Sequence, residues 1–123
     1  MNVRLVVPSS EEKGLDSRLS QHFGRAPFYV VVDLDEKGNI ISDSSIPNTS
    51  EHFGGVGVPP DRIIQLKPNA LVTYGLGSKA LAMFQTAGVA VLRTEANTVR
   101  EVVSAYNNNE LQELTEGCQH AQH

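Results

Sequence analysis

The chain has a single cysteine, Cys118, in 123 residues. A lone thiol cannot staple a fold, so a disulfide scaffold is excluded and nothing marks an oxidising compartment. No stretch approaches the roughly 18 apolar residues that would span a bilayer. Basic runs are missing too: 10 Lys and Arg stand against 14 Asp and Glu, for a net charge of −4. Without a basic stripe, neither nucleic acid nor an anionic membrane surface is an expected partner. Catalytic signatures are also lacking. There is no Gly-x-Ser-x-Gly elbow, and no Gly-Lys-Ser/Thr completes a phosphate-binding loop. The first strand carries no carboxylate, and Asp33 and Asp35 fall at the edge of a turn, so a two-metal nuclease is not expected. No residue can be given a catalytic role, and an enzyme is not the expectation.

What remains describes one globular domain. The apolar fraction of 40% is enough for a core, and the charged fraction of 20% argues against disorder. Val3–Val7 is a short β-branched run that reads as a buried first strand stopped by Pro8, not as a signal peptide; the expected location is the cytoplasm. A helical turn is expected around Ser17–Leu19. Phe28–Leu34 is the clearest strand, with three valines and two aromatics. The Asp35–Asn39 turn returns it as an antiparallel hairpin through Ile40–Ser45. Pro47–Val58 reads as a long loop. Pro59 and Pro60 suit the first turn of a helix that Pro68-Asn69 ends. Strand Ala70–Tyr74 leads through Gly75-Leu76-Gly77 to a helix over Lys79–Ala87, with Ser78 as its N-cap and Gly88 as its C-cap. Val89–Leu92 is another strand. Thr98 caps a last helix, Val99–Asn107, with Glu101 at the capping-box position. Glu110–Glu116 reads as a further turn and 117–123 as a flexible tail, leaving 1–116 as the domain. The alternation of strand and helix in the second half predicts a mixed five-stranded α/β sheet with helices packed on it.

Four segments could carry chemistry. Gly54-Gly55-Val56-Gly57 and Gly75-Leu76-Gly77 both lead into helices. There, backbone N–H groups and the positive end of the helix dipole can cradle an anion. Glycine also simply makes tight turns. In Ser20-Gln21-His22-Phe23-Gly24-Arg25, His22 and Arg25 could hold an anion or a metal; the alternative is a solvated loop with Phe23 in the core. His52 lies in the long glycine loop. The tail offers Cys118 and His120 as soft and borderline metal ligands, or else is only a tail.

The run Ser20-Gln21-His22-Phe23-Gly24-Arg25-Ala26-Pro27 resembles the opening of the dinitrogenase iron–molybdenum cofactor biosynthesis family, which includes the NifX carrier, the C-terminal domain of NifB and small stand-alone members. Pro47-Asn48, Gly54-Gly55-Val56-Gly57, Asn69-Ala70-Leu71-Val72, Gly75-Leu76-Gly77-Ser78-Lys79-Ala80 and Ala87-Gly88-Val89-Ala90-Val91 continue the likeness. The resemblance implies a ribonuclease-H-like three-layer fold: a five-stranded mixed sheet with one antiparallel hairpin strand and helices on both faces. It implies no nuclease activity. It implies binding and passing on an iron–sulfur or iron–molybdenum cluster or its precursor. Arg25, His22, His52 and the glycine loops at Gly54, Gly55, Gly57, Gly75 and Gly77 would surround the cargo, with Cys118 and His120 as tail ligands. Cluster-assembly or cofactor-biosynthesis proteins would be the partners of a monomer or weak dimer. The other readings are a small-anion or nucleotide-binding regulatory module and a docking protein that holds no cargo.

Overall fold

In Phe28–Leu34 the valines at 30, 31 and 32 are all buried. Successive strand residues point to opposite faces, so this strand must be covered on both sides. The computed structural model, which describes residues 2–49 and 59–115, supplies both covers. Its strands are β1 (Val3–Ser9), β2 (Phe28–Leu34), β3 (Ile40–Pro47), β4 (Ala70–Thr73), β5 (Ala90–Arg93) and β6 (Gln112–Glu113), and its helices are α1 (Pro59–Gln65), α2 (Ser78–Thr86) and α3 (Val99–Asn107). One sheet runs in the order β3-β2-β1-β4-β5-β6. β1, β4 and β5 are parallel, while β2 and β6 run against their neighbours. On one face Val6, Tyr29, Val31 and Leu71 pack with Ile63 of α1 and with Leu81 and Phe84 of α2. On the other, Leu5, Val7, Val30 and Val72 pack with Val99, Val102 and Val103 of α3. Among the described residues no helix is long and apolar enough to cross a membrane.

The structure corrects the sequence reading in five places. The sheet has six strands, not five, and two of them run antiparallel to the rest. The segment expected as a turn after Glu110 instead lays Gln112 and Glu113 along Arg93 and Leu92. Leu111 packs on one core and Leu114 on the other, which anchors this short polar strand from both sides. Pro8 does not stop β1. It pairs with Tyr29 and stands beyond Val6, the last β1 residue beside β4, where a missing N–H leaves no ladder bond unmade on that side. The helical turn lies at Gly14–Asp16, where Gly14 adopts a φ of 58°. Leu19 is instead extended and buried, bridged to Ser9. The hairpin strand β3 continues to Pro47, and a bulge opposite Asp33 and Leu34 leaves both Ile40 and Ile41 exposed. The N-cap of α2 is Gly77, with no side-chain cap, and Ser78 is already helical. By contrast, α3 keeps its expected bounds: Thr98 accepts from the Glu101 N–H at 3.3 Å. Gly88 ends α2 at φ 78°, as its capping role requires.

Arg4 ties three elements at the lower end of the sheet. Its Nε donates to Asp33 Oδ1 on β2 at 2.9 Å, and its Nη1 donates to the Leu66 carbonyl past the end of α1 at 2.8 Å. The Arg4 hydrogen bond holds the Asp33 carboxyl below the usual carboxylate range. A lowered folded-state value gives stability that is present above the ordinary carboxylate range and is lost as pH falls through it. With the Arg4 side chain 40% exposed, solvent screening limits the pair to at most about 1 kcal/mol. Arg4→Met is therefore expected to cost up to about that much at pH 7. Urea unfolding near pH 2.5 should show a smaller gap, and an equal gap at both pH values would remove Asp33 from the account.

Candidate functional site

Parallel strands end together, and open α/β sheets bind ligands beyond those ends, where the chain leaves one strand in opposite directions. Here β1 hands on to β2 on one side, and the chain returns through α1 to β4 on the other. The crevice therefore lies beyond Ser9 and Thr73. Buried hydroxyl groups hold the loops there. Ser9 Oγ donates to the Glu11 carbonyl, Ser20 Oγ donates to the His22 carbonyl at 2.9 Å, and Thr94 Oγ1 accepts from Ala96 N–H at 3.0 Å. Each closes a local turn that would otherwise compete for water.

The loop after Leu19 is fixed at several points. Ser20 N–H donates to the Pro8 carbonyl at 3.0 Å. Phe23 is buried, edge-on to Phe84 of α2 with centroids 5.6 Å apart. Tyr29 Oη donates to the Phe23 carbonyl at 2.9 Å. Burial pushes the Tyr29 phenol well above its ordinary range, against a smaller opposing effect of Arg62, so the hydroxyl stays a donor at any working pH. Between these anchors stands His22. Its Nδ1 is buried and has no hydrogen-bond partner among the described residues. Arg25 is exposed, and among the described residues its guanidinium has no carboxylate partner.

Facing this loop is the end of β4. Gln21 lines a shallow cleft of about 280 Å³ with Tyr74, Arg93, Thr94, Glu95 and Asn97. Tyr74 Oη donates to the Ala96 carbonyl at 2.7 Å. Gly75 follows, and a Cβ built on it would meet nothing within 4 Å. Its φ lies outside the left-handed region, so no backbone strain demands glycine there. Leu76 is fully buried beneath. Gly77 then opens α2, whose first amides have no side-chain cap. This end of the sheet thus carries uncapped amides at a helix start, open space at Gly75 and, in the loop after Leu19, a buried imidazole nitrogen lacking a partner among the described residues.

Of the residues predicted from sequence, His22, Arg25, Gly75 and Gly77 lie at this end of the sheet. His52, Gly54, Gly55, Gly57, Cys118 and His120 lie outside the described residues. Among the described residues no group of three or more His, Cys, Asp or Glu could hold a metal ion. Sequence reasoning missed the supports of the loop: Ser20, Tyr29 and Asn48. A polar residue two positions before the His of the motif, and a tyrosine beside the valine run of the clearest strand, were the available signals.

Fold and site together define a small mixed α/β domain with a loop-built crevice at the ends of its parallel strands. The chain belongs to the dinitrogenase iron–molybdenum cofactor family, whose profile matches residues 3–109. An uncharacterised protein of Methanocaldococcus jannaschii is 28% identical over 101 residues, which is 80% of this chain and 85% of that one. Among solved structures, the apo form of the orange protein from Desulfovibrio gigas superposes with a TM-score of 0.76 at 23% identity, over 94% of this chain and 96% of that one. A candidate NifB protein from Thermotoga gives 0.72 at 26% identity, over 96% and 98%.

Proposed function

We propose that this chain is a non-enzymatic carrier that binds an iron–sulfur or iron–molybdenum cluster, or a precursor of one, and passes it to cofactor-biosynthesis proteins in the cytoplasm. The observation that carries the reading is the buried, unpartnered Nδ1 of His22. Buried polar atoms are normally satisfied, and an exception asks for a partner from outside the chain. A neutral imidazole nitrogen is a good ligand for iron and similar metals. Sulfide clusters are anionic, and the nearby cation Arg25 and the open amides of α2 supply the complementary charge. Family membership supports the same class of cargo.

The test is anaerobic loading of the apoprotein with iron and sulfide and, separately, with tetrathiomolybdate, followed by gel filtration and metal analysis. Stoichiometric co-elution is expected, with at least a tenfold weaker hold in His22→Ala and an unchanged melting temperature. Comparing Cys118→Ala decides whether the tail contributes a ligand. If no metal co-elutes in any form, the carrier reading fails. A melting temperature raised by phosphate-containing ligands would then favour the small-anion reading.

A further inference from the structure

Asn48 follows β3 and uses every polar atom of its side chain. Nδ2 donates to the Ala26 carbonyl at 2.8 Å and to the Gly24 carbonyl at 3.3 Å. Oδ1 accepts from Arg62 Nη1 of α1 at 2.8 Å. The Asn48 backbone N–H donates to the Pro27 carbonyl at 3.0 Å. The carbonyls of the two residues that flank Arg25 are thus held by one side chain. The His22 end of the loop is held independently, by Ser20 and Tyr29.

This division of labour has a chemical logic. Two carbonyls pointing the same way need two donors from a single centre, and a primary amide supplies them while its oxygen remains free to accept. An aspartate keeps the acceptor for Arg62 but cannot donate to either carbonyl. A half-buried carbonyl left unpaired is costly enough to favour another loop geometry. We infer that Asn48 is a positioning residue, which sets the path of Gly24–Ala26 and so aims Arg25 at cargo whose ligand is His22. The inference rests on the carrier reading for its consequence, but its structural half stands apart from it.

The experiment therefore has two readouts on wild type, Asn48→Asp and Asn48→Ala. The first is the backbone ¹⁵N order parameter of the apoprotein. At Gly24–Ala26 it is expected to fall from about 0.85, the value of a rigid backbone, to below about 0.6 in both variants, while Ser20–His22 stays rigid. The second is molybdenum retained after tetrathiomolybdate loading, expected to drop at least fivefold in both variants. Arg62→Gln keeps both carbonyl bonds and should preserve the order parameters. Unchanged order parameters in Asn48→Asp would overturn the inference, as would full retention of molybdenum despite a loosened loop. If wild type itself retains no molybdenum, the carrier reading fails, and the order parameters alone still decide whether Asn48 sets the loop.

Discussion

Replacing Phe23 by alanine is expected to lower the unfolding free energy by about 3–5 kcal/mol. The residue is buried to 2% exposure although it sits in a loop. Its ring contacts Phe84 edge-on and Tyr29 at a tilt of 48°. Such aromatic pairs add about 0.5–1.5 kcal/mol beyond the area they bury. Small domains have only about 5–15 kcal/mol in total, so the loss takes a large share. Urea unfolding measures it. A cost below about 1.5 kcal/mol would mean that the loop merely rests on the core, and the stiffness claimed for His22 would have no foundation.

The second large effect separates binding from stability. Gly75→Leu is expected to leave the melting temperature within about 2 °C, yet to weaken tetrathiomolybdate binding at least tenfold. The first half follows from open space at the missing Cβ and from an ordinary backbone angle. The second follows because a leucine side chain would fill open space at the end of β4, where the carrier reading places the cargo. Gly88→Ala is the control. It too meets no neighbour, but its φ of 78° is unfavourable for any residue with a Cβ. It should cost about 1–2 kcal/mol and leave binding untouched. If Gly75→Leu binds as wild type does, the cargo does not enter at β4, and the crevice must be sought elsewhere.

The sequence made most of this fold legible because its strongest elements carry strong local signals. Phe28–Leu34 could only be a doubly covered strand, and Thr98 with Glu101 marked the last helix to the residue. What escaped were elements whose stability is not local. Gln112 and Glu113 have no strand character of their own; leucines on either side, reaching two different cores, hold them in place. Pro8 looked like a stop because a strand's freedom from its neighbour cannot be seen without the sheet. At the site, the motif around His22 could be read but its geometry could not. Hydroxyl turns and a single amide fix that loop, and serine or asparagine in a polar stretch gives no sign of which carbonyl it will find.

The direction of β6 has a consequence for how the domain can be used. Val3 pairs with Leu34 at the lower rim of the sheet. Leu114 N–H donates to Val91, and Gln85, near the end of α2, donates to the Thr115 carbonyl, also toward that rim. Entry and exit of the described chain therefore share one pole, and the crevice occupies the other. Whatever joins the described residues at Asn2 or Thr115 therefore begins at the pole opposite the crevice.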